Sequence, residues 1–440
     1  MIGVAVTTDN LSVGKFVEGD DGLKVLFICM NYFPYTGACS SLLVNMFSTG
    51  TLQKDIDIHV LAIKQGLSDP DMEEINGITI HRIIRWDVLS MQSIKKDFMR
   101  KPCVACQGLL IKAKTKIDKS LHYRAFVDRQ LLNSLKRKLH ALLSESYDVV
   151  IPVAGSYEAV QAALDSFQEE RIIIYQVDPC STNTAFSKES YAERCYLEKR
   201  MCTDADAVIT TPILRDQWLL DHPDAASEKI ISMEFPNVNP SQYSTKQVME
   251  SGTRRGYSCV FVGGIYRAAR NPAYTFKLFG ALKETGINLS IVGAEKENMR
   301  EFIAEEEIAS NISFYGKLPL QEAQRHMEQA DILVNIGNIM TNQVPSKLFE
   351  YVSYGKPIIN ICKNRNCPTL PYLEKYPYAL NLFEEDDLFD EQVEKLRAFI
   401  AMNGNERIPS QEVLGIFETC TPEYCAGQML KVIKECLKSN

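Results

Sequence analysis

The chain has 440 residues, about three times a typical domain of roughly 150, so a single compact core is excluded and two domains are expected. Hydrophobic residues at 45% and charged residues at 24% match ordinary globular usage, which excludes collagen-like, disordered and low-complexity chains. A net charge of −8 argues against a general nucleic-acid binder, although the stretch from Arg82 to Lys138 carries fifteen Lys/Arg against four Asp, a local +11.

From Leu23 onward, short apolar runs alternate with longer helical stretches, the sequence form of βαβ units and a parallel sheet. In the first half the strands read Leu23–Cys29, Asp57–Ile63, Ile78–Ile84, Tyr147–Val153, Arg171–Val177 and Asp206–Thr210, with helices over Ser156–Gln168 and Lys188–Cys202. In the second half they read Tyr257–Gly263, Ile287–Gly293, Ile312–Gly316, Asp331–Gly337 and Lys356–Cys362. Apolar periodicity stops between Asn239 and Gly256, which reads as a linker; Thr421 to Leu437 reads as an amphipathic helix packing back on the first lobe. The expected organisation is thus α/β: one Rossmann-like domain over 1–238 with 421–440, a linker over 239–256, and a second Rossmann-like domain over 257–420. The two parallel-sheet domains are expected to face each other across a cleft.

Nowhere do 18 apolar residues run uninterrupted, and Met1 to Phe16 lacks a basic start and an apolar middle, so a cytoplasmic protein is expected. Thirteen cysteines, an odd number spread over the chain, fit reduced thiols better than a disulfide framework. Cys103 and Cys106 form the only CxxC, without a second pair at zinc-finger spacing, so no structural zinc is expected.

Ligands of open parallel sheets bind beyond the carboxyl ends of the strands, so the loops there are the places to look. Gly37 follows the first strand and precedes a helix; Asp178 stands at a strand end beside Pro179 and serves equally well as a helix cap. Gly263-Gly264 followed by Arg267 and Arg270 combines open backbone with guanidinium forks suited to a diphosphate. Asn342 through Pro345, Ser346, Lys347, Leu348 and Glu350 opens a helix whose amino end favours an anion, while Glu350 can accept two hydrogen bonds from a diol.

On these residues the chain resembles the bacterial glycosyltransferases of family 4, which have the GT-B fold. The most specific piece is Pro345 to Ile359, supported by Val262 to Pro272 and by Phe314 to Val334. The resemblance implies a retaining transferase that holds the donor ribose with Glu350 and its diphosphate with Arg270 and Lys347, while the Gly37 loop faces donor sugar and acceptor. It implies a nucleotide-sugar donor, a glycan or lipid-linked acceptor in cell-surface polysaccharide synthesis, and neither cofactor nor metal. The chain departs from the family pattern twice: Asn342 stands where many members carry a first glutamate, and Gly264 where many carry a basic residue.

A metal-dependent transferase of the other fold would place Asp-x-Asp at a strand's end, whereas Asp55/Asp57 and Asp204/Asp206 lie where strands begin and Asp69/Asp71 lies in a loop. None of the six histidines is placed to serve as a general base. Lys95, Lys96, Arg100, Lys101, Lys112, Lys114, Lys116 and Lys119, interleaved with Phe98, Met99 and Leu109 to Ile111, are expected to lie on an anionic membrane through residues 82–138. The rival readings are a sugar-nucleotide epimerase, which needs no acceptor, and a catalytically silent sugar-nucleotide-binding partner.

Overall fold

Strands of a parallel sheet covered on both faces read as continuous apolar runs, and that is how the longest runs of this chain are used. The computed structural model describes residues 4–5, 22–66, 68–85, 126–153, 155–167, 169–240, 256–265, 270–386 and 388–438. They fall into two units, Met1–Pro236 with Pro422–Asn440, and Asn237–Thr421. Most of the basic segment, most of the expected linker, and Arg267 lie outside the described residues.

The first unit holds a short antiparallel pair, β1 (Val4–Ala5) with β3 (Tyr35–Thr36), and an eight-stranded sheet. The sheet comprises β2 (Leu23–Ile28), β4 (Ile56–Ile63), β5 (Met72–Ile75), β6 (Ile78–Ile83), β7 (Val149–Pro152), β8 (Arg171–Gln176), β9 (Ala207–Thr210) and β10 (Ile230–Ser232), in the order β10-β9-β8-β7-β2-β4-β6-β5. All pairs are parallel except β5 with β6. The register sets Val25 opposite Ile58 on one side and Val149 on the other.

The helix Arg129–Leu142 begins where the Asp128 carboxylate accepts the N–H groups of Gln130 and Leu131, at 2.9 and 3.3 Å, and it buries Leu131, Leu132, Leu135, Leu139 and Leu142 in the sheet's core. Ser156 caps the helix Tyr157–Ser166 in the same way. The last helix, Pro422–Lys438, packs on the helix Ala38–Ser48 of this unit, burying Cys425, Met429, Val432 and Ile433. Lys434 ties it to Asp55 at 3.1 Å.

The second unit is a six-stranded, wholly parallel sheet: β11 (Ser258–Val262), β12 (Asn288–Val292), β13 (Ile312–Phe314), β14 (Ile332–Ile336), β15 (Ile358–Cys362) and β16 (Ala379–Phe383). Their order is β13-β12-β11-β14-β15-β16. A row of side-chain amides crosses three of its strands at paired positions: Asn335 donates to Asn360 at 2.8 Å, and Asn360 donates to Asn381 at 2.7 Å. Lys356, buried just before β15, gives its ammonium to the carbonyls of Met327, Glu328 and Ala330 at 2.6–2.8 Å, neutralising the carboxyl end of the helix Leu320–Gln329.

Besides the two-residue β1 and β3, the sequence reading passes over three strands of the large sheets: β5 and β16 are half-exposed edges and β10 has three residues. The stretch read as one helix over Lys188–Cys202 is a 3-10 turn, Lys188–Ser190, leading into the helix Tyr191–Asp204.

Candidate functional site

Each sheet has the doubly wound order, in which the chain starts in the middle and works outward first to one side and then to the other. In such sheets the loops at the reversal diverge and leave a crevice beyond the strand ends. In the second unit the reversal lies between β11 and β14; in the first it lies between β2 and β7. Among the described residues, Gly37 follows β2, Gly263, Gly264 and Arg270 follow β11, and Asn342 to Glu350 follow β14, all at the reversals, whereas Asp178 follows β8, one strand farther out.

In the second unit, Gly263 and Gly264 follow β11, and Arg270 folds back over that loop. Its Nη1 donates to the Gly264 carbonyl at 3.1 Å, and its guanidinium lies 5.8 Å from the centre of the Phe261 ring. The backbone there is tightly nested: Gly293 has φ +108°, and a Cβ on it would stand 2.4 Å from the Gly263 carbonyl oxygen, so only glycine fits.

The loop after β14 runs through Asn338, whose Nδ2 donates to the Gln343 backbone and side-chain oxygens at 3.1 and 3.2 Å. Asn342 sits half-exposed within the loop so braced, and Pro345 is buried. Ser346 is the cap of the helix Lys347–Ser353, and its carbonyl accepts a bond from Asn237 at 3.3 Å. Leu348 is wholly buried and its N–H is engaged by the Pro345 carbonyl at 3.0 Å, so it acts as the helix's anchor in the core.

Glu350 is the site's distinctive group. Its Oε2 accepts from the Lys347 ammonium at 2.6 Å, while its buried Oε1 has no hydrogen-bond partner among the described residues. A buried carboxylate oxygen in that state has acceptor capacity to spare. The next residue, Tyr351, sets its position: the Tyr351 hydroxyl accepts from the Val262 N–H at 2.7 Å and donates to the Val262 carbonyl at 3.2 Å. The helix is thereby riveted to the end of β11. Burial pushes the Tyr351 hydroxyl well above its ordinary pKa, with the Val262 bond and Arg270 opposing and Glu350 adding; the phenol feels both candidate donor-binding charges. The sequence reading gives Tyr351 no role, because only the folded sheet brings it beside Val262.

In the first unit, Gly37 precedes the helix Ala38–Ser48 and its N–H donates to Ser40 Oγ at 2.8 Å. Cys39 in that helix reaches the loop after β7, where Gly155 has φ +112° and a Cβ would stand 2.9 Å from the Cys39 sulfur. Asp178 lies at the end of β8, its carbonyl held by the Gln176 amide at 2.5 Å. Burial, with the Asp178 charge adding, pushes the Cys39 thiol well above its ordinary pKa. Cys39 and Gly155 are the residues that the sequence reading missed here.

No family model matches the sequence, and no curated protein matches it. Solved structures do. The chain superposes on sucrose-phosphate synthase from Thermosynechococcus elongatus with a TM-score of 0.64 at 12% identity, covering 95% of this chain and 100% of that one. An E. coli trehalose-6-phosphate structure bound with UDP-2-fluoro glucose gives 0.61 at 12% identity, over 94% and 99% of the two chains. A lipopolysaccharide outer core galactosyltransferase gives 0.54 at 15%, over 94% and 99%. The fold is GT-B. In this GT-B chain Gly37 lies at the reversal of the first sheet and Gly263, Gly264, Arg270 and Glu350 at that of the second, and the described residues contain no helix long and apolar enough to cross a membrane.

Proposed function

We propose that this chain is a glycosyltransferase that moves a sugar, with retention of anomeric configuration, from a nucleotide-sugar donor to a glycan or lipid-linked acceptor of a cell-surface polysaccharide. The observation that carries this reading is the pairing, at the reversal of the second sheet, of Arg270 on the loop after β11 with the Lys347–Glu350 ion pair on the helix after β14, whose Tyr351 bonds the end of β11. Glu350 Oε1 accepts the ribose diol, and Arg270 and Lys347 hold the diphosphate. As the glycosidic bond breaks, negative charge builds on the leaving diphosphate, and these fixed cations stabilise it without reorganising. The open backbone of Gly263-Gly264 lets the diphosphate approach closely. Asn342 reads a donor-sugar hydroxyl, and Asp178 with the Gly37 loop serves the acceptor side. No metal or cofactor is needed for this leaving-group role. The protein works in the cytoplasm, on the inner face of the membrane.

The test is a thermal-shift screen against UDP-, GDP-, CMP- and dTDP-sugars, followed by product analysis of the best donor with and without a glycan acceptor. Transfer only with acceptor supports the reading. Epimerised donor without acceptor would replace it by an epimerase, and binding without any product by a silent binding partner.

A further inference from the structure

The first unit carries a second cluster of chemistry-bearing side chains. Leu26 pairs with His59 and Leu61 with His81, so both histidines share the sheet face packed beneath the helix Arg129–Leu142. Glu145 and Tyr147, on the connection from that helix to β7, close over them.

His59 Nδ1 lies 3.1 Å from His81 Nε2 and 3.1 Å from the Tyr147 hydroxyl. Glu145 Oε2 lies 3.0 Å from that hydroxyl, 3.7 Å from His59 Nδ1 and 3.9 Å from His81 Nε2. A tetrahedral zinc ion with bonds of about 2.0–2.1 Å spaces its donors about 3.3–3.4 Å apart, in the middle of this range. The far nitrogen of His59 faces Asp57 Oδ2 at 3.2 Å, the carboxylate–imidazole arrangement that turns the other ring nitrogen's lone pair toward a metal. His81 Nε2 and the Tyr147 hydroxyl approach His59 Nδ1 at the same distance, and a cation at the centre would take lone pairs from all four groups at once.

We propose that His59, His81, Glu145 and Tyr147 bind one zinc ion as a closed, structural site. On binding, the His81 ring proton moves to its other nitrogen and the Tyr147 phenol releases its proton to solvent. Four protein donors leave no place for water, so the ion takes no part in chemistry. It fastens the connection before β7 to β4 and β6, joining positions far apart in sequence. Lys24 competes with it: its ammonium lies 3.3 Å from Glu145 Oε2 and 5.0 Å from the centre of the Tyr147 ring.

The test uses the full chain stripped with a chelator, then titrated calorimetrically with zinc and, separately, followed by visible absorption during cobalt(II) addition. One zinc per chain is expected, with tetrahedral cobalt bands, proton release that varies with buffer, at least tenfold weaker binding in Glu145→Gln and tighter binding in Lys24→Met. His59→Asn and His81→Asn should abolish binding; the partly exposed Glu145 keeps the proposal testable where those variants fail to fold by circular dichroism. No stoichiometric zinc at about 100 μM would overturn the proposal, as would unaltered affinity in Glu145→Gln or cobalt–thiolate charge-transfer bands from a cysteine site.

Discussion

Replacing Glu350 by Gln should strip donor affinity while leaving the protein folded, and the structure sets the size of each effect. The side chain is 18% exposed and its salt bridge with Lys347, itself 26% exposed, sits on one short helix. A pair that wet is worth about 1 kcal/mol at most, which moves the melting temperature of a unit this size by roughly 2–4 °C. The affinity loss is larger. The carboxylate's two bonds to a ribose diol are charge-assisted, and losing the charge removes on the order of 1.5–3 kcal/mol, a factor of about ten to a hundred and fifty in Kd. Glu350→Ala should lose at least as much, partly offset because the released Lys347 ammonium can turn to the diphosphate; Lys347→Ala with Glu350→Ala removes that offset. Calorimetry with the preferred nucleotide is the assay. Affinity within twofold of the parent in both Glu350 variants would refute the ribose assignment.

Four further outcomes are expected. Tyr351→Phe leaves the Val262 N–H and carbonyl without their buried partner, so it should destabilise by about 1–3 kcal/mol in denaturant titration and weaken nucleotide binding; an unchanged midpoint would deny the rivet its role. Asn342→Ala should slow transfer by the equivalent of about 1–3 kcal/mol and Asn342→Glu should bring no gain, whereas a tenfold faster Asn342→Glu enzyme would mark the native amide as a loss. Transfer should persist after chelation when assayed well below the melting temperature; activity that vanishes and returns only with magnesium or manganese would contradict leaving-group stabilisation by Arg270 and Lys347. Anionic liposomes should sediment the protein at low salt and release it at high salt, and equal sedimentation after Lys95, Lys96, Arg100 and Lys101 become Ser would reject residues 82–138 as the anchor.

What the sequence discloses depends on whether a signal is local. Strands such as Leu23–Ile28 and Ile332–Ile336 are legible because burial on both faces demands an unbroken apolar run. β5, with the sequence Met-Glu-Glu-Ile and alternating exposure, and β16, with its asparagine, carry no such run because they lie at edges. Glu350 is legible because a helix start and an acid one turn later lie within six residues. Tyr351's rivet is not, because its partner Val262 is 89 residues away and comes alongside only when β11 and β14 pair. The same holds for His59, His81 and Glu145: each is unremarkable in its own stretch, and they meet only when β4 pairs with β6 and the connection before β7 comes against them.

The amide row across β14, β15 and β16 bears on how this sheet finds its alignment. Val, Ile and Leu supply most of the side chains in the two inner strands, and such residues tolerate a neighbour displaced by two places, since a shift of two returns every side chain to its own face. Asn335, Asn360 and Asn381 do not. Displaced by two, the wholly buried Asn360 would lose its amide partners on both neighbouring strands and keep only its local bonds with Cys362 and Thr369. One polar residue per strand therefore discriminates among pairings that apolar packing alone treats as near equivalents. The row works as a vernier, marking the single alignment in which its three graduations meet.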